Sequence, residues 1–157
     1  MIALKHIKNL VKNSLYCSIA TSQNNIPHCS PIGSVYIENI KQGYYFEMFS
    51  GAVAKCDDPQ PLGCVLVVNT SLLFWLKSLI RGHFKTPPAV RLLVRFGEKR
   101  VATEIELTRF RKRVDIFKRL KGHKIMWSRP SHVREFEIQK ILPITLGNMT
   151  KVDYSIE

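Results

Sequence analysis

Two successive hairpins over residues 15–49 constrain this chain more than any other stretch. Apolar residues occupy every odd position from Leu15 to Ser22 except Thr21, and a period of two predicts a β-strand. Residues 23–25, Gln-Asn-Asn, predict a tight turn, because Asn tolerates the positive φ that hairpin turns require. A second strand is predicted over residues 26–37, a second turn over residues 39–43, and a third strand over residues 44–49.

Two prolines, Pro27 and Pro31, lie in the predicted second strand. Neither can donate a backbone hydrogen bond to a neighbouring strand, so we expect this strand at a sheet edge or beside a bulge. An edge or a bulge leaves backbone N–H and C=O groups free to meet a ligand. The sequence therefore points to this strand as the first place to look for a binding site.

The remaining patterns predict three more strands, separated by helices. The strands cover residues 62–69, 90–96 and 133–146, with Gly97 and Glu98 expected to turn the chain after the second of them. Capping residues and helical spacing predict helices over residues 2–13, 52–57, 72–81 and 103–121. Six strands joined mainly by hairpins predict one domain over residues 1–157, of mainly β or α+β class, built as a small antiparallel barrel.

The predicted helix over residues 72–81 is apolar on nearly every side. Such a helix must be covered from several directions, and a domain of 157 residues has few places to do so. A homodimer interface is the economical explanation, because a second copy can cover the faces that the chain itself leaves open.

The chain is strongly basic, with a net charge of +12, and a third of its 24 Lys and Arg residues are concentrated in one segment. Residues 109–124 contain eight Lys or Arg and one acid, Asp115. One interpretation is a solvated helix face; another is a non-enzymatic module that binds a polyanion, nucleic acid or a protein partner. Nucleic acid is the less favoured partner, because aromatic side chains do not alternate with the charges.

Several common chemistries find no support in the sequence. The five histidines are scattered, and there is no metal-ligand spacing, no nucleophile motif and no Gly-rich phosphate loop. Cys17 and Cys29 fall on the apolar sides of their strands, which predicts reduced core thiols. Lys5, Lys8 and Lys12 interrupt any signal-peptide core, so a cytoplasmic protein without membrane contact is expected.

The stretches SIATSQNNIPHCSPIGSVYI and YYFEMFSGAVAK resemble the pyridoxamine 5′-phosphate oxidase-like, FMN-binding split-barrel family. That family opens with a strand ending in Ala-Thr, a strand with Pro-x-x-x-Pro, and an aromatic strand that runs into Ser or Thr and Lys. The matching residues are Ala20, Thr21, Pro27, Pro31, Phe46, Ser50 and Lys55. The resemblance implies a six-stranded antiparallel split barrel that binds FMN and acts as a homodimeric oxidoreductase on an unidentified small molecule.

The resemblance also implies a set of cofactor-binding residues. From the residues alone, Ser50 and Lys55 have two interpretations: an anion-binding site at a helix N-terminus, or a helix-capping serine near a solvated lysine. In related proteins, this stretch binds the FMN phosphate. The ring would lie along Ser30, Pro31 and Ile32, with Phe49 at its other edge. The partner chain would contribute Trp127, Arg129 and Arg134.

Two departures from the family bear on the reaction. Many relatives have Arg where this chain has Ser30, so we expect either a weaker grip on the phosphate or its completion by Arg91, Arg95 or a second subunit. The residues that would bind the substrate phosphate of pyridoxamine phosphate oxidase are not found, and no catalytic residue is identified. A deazaflavin or a haem on the same barrel stays open as an alternative cofactor.

Overall fold

The computed structural model describes residues 4–14, 16–48, 53–58, 60–127 and 130–150, with the side chains of Lys55 and Lys124 outside that description. Its α-helices are α1 Leu4–Asn13, α2 Leu72–Arg81, α3 Glu104–Val114 and α4 Lys121–Trp127. Its strands are β1 Cys17–Gln23, β2 Ile26–Ile32, β3 Val35–Ile37, β4 Gln42–Phe46, β5 Leu62–Val68, β6 Ala89–Val101 and β7 His132–Pro143. Short 3-10 helices cover Val53–Lys55, Asp115–Phe117 and Gly147–Met149.

The strands form one antiparallel sheet in the order β2-β1-β5-β6-β7-β4-β3. β2 and β3 are the two edges of this sheet, although only Gly33 and Ser34 separate them along the chain. Because the three residue steps from Ile32 to Val35 span at most about 11 Å, the sheet must curl until its edges approach each other at this point. No ladder joins β2 to β3 in the described residues, so the curled sheet is not closed into a barrel.

The predicted class, mainly β with inserted helices, is therefore confirmed, whereas two predicted details of the strands differ from the structure. The predicted single strand over residues 26–37 is two strands, which gives seven strands instead of six. The chain leaves one edge of the sheet at Ile32 and enters the other at Val35, and this break depends on the curl of the whole sheet. The turn predicted at Gly97 was also wrong. Strand β6 continues to Val101, because its pairing with β7 resumes after a register shift between Phe96 and Lys99.

Local turn and cap predictions agree with the structure. Asn24 and Asn25 take φ values of 50° and 61° in the turn between β1 and β2. Ser71 caps the start of α2, and Gly82, at φ 69°, ends it in the left-handed conformation that favours glycine. Thr103 and Glu106 form the predicted capping box at the start of α3.

The main core lies inside the curl of the sheet. Helix α1 packs into it through Ile7, Leu10 and Val11, as its amphipathic spacing predicts. Cys17 lies in the same core, as expected, but the prediction for Cys29 was wrong: its side chain is exposed. Because Cys29 pairs with Ala20 in the ladder, it lies on the outer side of an edge strand, which the described part of the chain leaves uncovered.

A second cluster forms where α3 packs on the outer surface of β4 and β7. Phe110 is buried against Phe46 and Val133. Helix α3 ends at Val114 instead of continuing to residue 121. The following 3-10 turn changes the rotation per residue, so Phe117 leaves the predicted buried stripe and its side chain is exposed.

The start of α3 is tied to the sheet by a pair of charges. Arg100 donates to the Glu106 carboxylate at 2.7 and 3.0 Å and also pairs with Glu135 at 2.7 Å. Hydrogen bonding from Arg100 lowers the pKa of Glu106 to about 2, although burial opposes the shift. Among the described residues, no helix is long and apolar enough to cross a membrane.

Candidate functional site

The two edges of the sheet meet at a place that we call the seam, which comprises residues 30–34 between β2 and β3 and residues 46–48 at the end of β4. Ser34 is buried and joins the two sides. Its hydroxyl accepts a hydrogen bond from the Phe46 backbone N–H and donates one to the Phe46 carbonyl, each at 3.2 Å. The seam therefore brings the end of the predicted ligand-binding strand beside the segment that continues through residues 49–55.

Three predicted cofactor residues lie on β2, on one side of the seam. Ile32 packs partly buried against the inner core, Ser30 points to the same side, and the Pro31 side chain lies exposed on the outer surface. β1 is the only strand that pairs with β2 in the described part of the chain. The prediction that this strand lies at an edge is thus confirmed, and its outward backbone edge faces no other strand of the sheet.

A buried ion pair lies directly beside the seam and was not foreseen from the sequence. Arg134 contacts the Glu47 carboxylate through three donor–acceptor distances of 3.0 to 3.2 Å, and their side chains are 14% and 3% exposed. Tyr45 donates to the same carboxylate at 3.2 Å, and Lys99 lies 3.8 Å from it. Burial, reinforced by the charge of Glu47, raises the pKa of the Tyr45 hydroxyl, which keeps it a hydrogen-bond donor.

This pair gives Arg134 a role within its own chain. The guanidinium also donates to the Gly97 carbonyl at 2.9 Å, so it ties β7 to β6 and to the end of β4. Its charge is balanced by Glu47 before any ligand binds. The assignment of Arg134 to the cofactor of a partner chain remains a prediction.

Ser50 of the predicted phosphate site, and Phe49, predicted at the other edge of the ring, lie outside the described part of the chain. The structure describes the backbone of Lys55 but not its side chain, at the end of the 3-10 helix Val53–Lys55. Within the described residues this single turn replaces the helix predicted over residues 52–57, so a helix dipole contributes little there. Val53 is buried in the inner core and anchors the segment against β1.

Trp127, another predicted residue, is the last residue of α4. Arg129 lies outside the described residues. The Trp127 ring packs 5.9 Å from Phe117 and 5.6 Å from His123, measured between ring centroids. Trp127 therefore belongs to the outer cluster around α3, and the prediction that it reaches a flavin in the partner chain stays untested.

The outer surface of β1, β2, β5 and β6 forms a shallow apolar groove of about 410 Å³. Cys64, Leu66 and Val68 line it from β5, while Val65 and Val67 on the same strand are fully buried inside. Trp75 of α2 lines one end of the groove, and Arg91 lies beside it. The continuous apolar run of β5 predicted a strand buried on both faces. In the described part of the chain, only the inner face is buried.

Comparisons with known proteins agree on the fold. No family model and no curated protein matches the chain. An FMN-binding protein from Syntrophomonas wolfei is similar over 91% of this chain and 86% of its own, with 18% identity and a TM-score of 0.57. HupZ of Group A Streptococcus is similar over 92% of this chain and 94% of its own, with 16% identity and a TM-score of 0.56.

A candidate pyridoxamine 5′-phosphate oxidase of Lactobacillus delbrueckii is similar over 90% of this chain and 93% of its own, with 15% identity and a TM-score of 0.53. At these identities the likeness concerns the fold alone. The chain has the fold of the pyridoxamine 5′-phosphate oxidase-like split-barrel proteins, and the resemblance drawn from its first two hairpins is confirmed at that level.

Proposed function

We propose that this protein binds a flavin, FMN, at the seam and acts as a flavin-dependent oxidoreductase on a small molecule. The observation that carries the proposal is the meeting of the two sheet edges. It brings residues 30–34, where the resemblance expects the flavin ring, beside residues 46–48. Along the sequence these lead to Ser50 and Lys55, where the resemblance expects the phosphate. The same fold in an FMN-binding protein supports this choice of ligand.

The described residues of the seam suit the ring half of a flavin. A flavin ring is flat and apolar on its faces, with hydrogen-bonding atoms along one edge. The outward backbone edge of β2 offers C=O acceptors, with N–H donors missing at Pro27 and Pro31, and the Pro31 side chain offers an apolar surface. Glu47 is engaged by Arg134, so the seam does not present a free buried carboxylate that would repel an anionic ligand.

A bound flavin would supply the electron transfer, while the protein would hold and orient it and exclude water. Lys55 would give the phosphate a cationic partner, and Ser50 a hydroxyl donor. In a dimer, the exposed Arg91 and Arg95 on the outer surface of β6 would be available to complete the phosphate site in place of the arginine that many relatives have at Ser30. Pro31 on the outer face of β2 and Ile32 on its inner face would limit access of water to the ring from those two directions.

Substitution of Pro31 by Glu should weaken FMN binding by roughly tenfold or more, because the new carboxylate would be placed against the ring and beside an anionic ligand. Pro31 is exposed, so the fold should tolerate the change. Fluorescence titration of the purified protein with FMN measures the effect. Pro27→Glu is the matched control, since Pro27 lies on the same strand and the same face at the opposite end.

Equal losses for the two proline variants would mean that added charge on β2, and not the seam, is responsible. Failure of the unsubstituted protein to bind FMN at micromolar concentrations would overturn the proposal itself.

The proposal includes a homodimer formed through the outer surface of the sheet and α2. In the single chain, Leu72, Leu73, Leu76, Leu79 and Ile80 are each between 55% and 85% exposed. Soluble monomers rarely leave apolar patches of this kind in contact with water. The apolar groove beside Trp75 continues this surface across four strands, and a second copy of the chain would cover both.

Leu76→Asp should convert the dimer to a monomer, because a charge in the middle of an apolar interface loses its hydration without gaining a partner. Size-exclusion chromatography with light scattering gives the mass directly. Ile116→Asp is the control, since Ile116 is 78% exposed and lies outside α2 and the groove. A monomeric mass for the unsubstituted protein, or dissociation by the control substitution alone, would refute this interface.

A further inference from the structure

A second cavity, distinct from the seam and the outer groove, lies between α1, α3 and β3. Its volume is about 580 Å³, within the range of about 300–1,000 Å³ that is typical of small-molecule sites. We call it the α1–α3 groove. The charged side chains that line it are Lys8 and Lys12 of α1, Arg109, Lys112 and Arg113 of α3, and Glu38 after β3.

The charge of this groove is strongly one-sided. Five cations line it against a single carboxylate, that of Glu38, which pairs with Arg109. Lys8 donates to the Glu38 backbone carbonyl at 2.6 Å, which directs its ammonium group toward the same end. Lys12 and Lys112 are exposed, and neither has an ion-pair partner among the described residues. A concave surface with this excess of cations raises the local concentration of anions.

Arg113 gives the groove a fixed charge. Its guanidinium donates to the carbonyls of Val35, Val11 and Ser14 at 3.3 to 3.4 Å, and it lies 5.7 Å from the centroid of the Tyr36 ring. These contacts hold the charge in place, and no carboxylate of the described residues pairs with it. They also satisfy carbonyls at the C-terminal end of α1, whose partial negative charge would otherwise oppose an anion.

We propose that the α1–α3 groove binds a small anion with two or more phosphate groups, such as pyrophosphate or a nucleoside triphosphate. A chain of phosphates fits the observations better than a monovalent anion, because the unpaired cations come from two different helices and two phosphate groups can offer each of them an anionic partner. The groove shares no lining residue with the predicted flavin site, so this proposal does not depend on flavin binding.

Titration calorimetry with ATP, ADP, AMP and pyrophosphate tests the proposal, with adenosine as the phosphate-free comparison. Affinity should rise with phosphate number, pyrophosphate should bind without a base, and adenosine should not bind. The double variant Lys12→Glu/Lys112→Glu should lower ATP affinity by roughly a hundredfold, since two charge-assisted contacts are lost and each is worth about tenfold or more. Both side chains are exposed, so the fold should be retained.

The matched control is Lys118→Glu/Arg119→Glu, which makes the same change of charge at two exposed residues outside the groove. It should leave ATP affinity within about threefold. Loss of the same size in both double variants, or absence of ATP and pyrophosphate binding at millimolar concentrations, would overturn the proposal. Binding of duplex DNA with no binding of ATP would also overturn it, and would favour the polyanion interpretation of residues 109–124.

FMN titration of the Lys12→Glu/Lys112→Glu variant separates this proposal from the proposed function. FMN affinity should not change, because the seam and the groove have no residue in common. A fall in FMN affinity as large as the fall for ATP would identify the groove as the flavin site and overturn its assignment as a second site.

Discussion

Lys55→Ala should weaken FMN binding by about 10- to 150-fold and leave riboflavin binding nearly unchanged. If the resemblance identifies the phosphate site correctly, the substitution removes one charge-assisted hydrogen bond to the phosphate, worth roughly 1.5–3 kcal/mol. Riboflavin has no phosphate, so it does not make this contact. Paired titrations with FMN and riboflavin, on the unsubstituted protein and on the variant, measure the difference directly.

Lys41→Ala is the control for a general loss of positive charge. Lys41 is exposed and precedes β4, at the opposite end of that strand from Glu47 and the seam. It should affect neither ligand. Equal losses for FMN and riboflavin in the Lys55 variant would place Lys55 away from the phosphate, and the assignment of Ser50 and Lys55 to the phosphate site would be withdrawn.

Glu47→Ala should lower the free energy of unfolding by about 3–5 kcal/mol, the largest stability effect expected in this protein. The substitution leaves the Arg134 guanidinium buried without its anionic partner, and breaking a buried pair on one side costs that much. It also removes the acceptor of the Tyr45 hydroxyl. Urea unfolding monitored by tryptophan fluorescence, at one fixed protein concentration, gives the change.

A double-mutant cycle shows whether the effect comes from the pair. Glu47→Ala/Arg134→Ala should be less destabilised than the sum of the two single variants, because the second substitution removes the unpaired charge. Additive losses, or a loss below about 1 kcal/mol for Glu47→Ala alone, would show that the pair contributes little and that Arg134 is free for another role.

Local features of the fold could be predicted from short stretches of sequence. Thr103 and Glu106 are three residues apart, and Gly82 directly follows an apolar helical run, so cap and stop signals are complete within one turn of helix. The β1–β2 turn is likewise set by Asn24 and Asn25. The edge position of β2 could be predicted from its prolines, because a proline has no backbone N–H to donate to a neighbouring strand and is therefore rare in central strands.

Features that depend on distant residues could not be predicted. Glu47 and Arg134 are 87 positions apart. Nothing in the sequence around either residue indicates that the two will form a buried ion pair. The split of residues 26–37 into β2 and β3 follows from the curl of the whole sheet. Cys29 was predicted to be buried because it was assigned to the apolar side of its strand. Both faces of that strand contain apolar residues, so parity alone does not tell which face meets the core.

The cationic groove between α1 and α3 was equally hidden in the sequence. The charges of residues 109–124 were visible, but Lys8 and Lys12 come from a helix almost 100 positions earlier, and only the fold brings the two sets to one cavity.

The absorbance spectrum of the protein, purified without added cofactor and again after incubation with FMN and gel filtration, tests the central claim most directly. We expect the two visible bands of an oxidised flavin that stays with the protein, and release of FMN on denaturation. A colourless protein that retains no FMN at micromolar concentrations, or a spectrum of haem or deazaflavin in its place, would contradict the account.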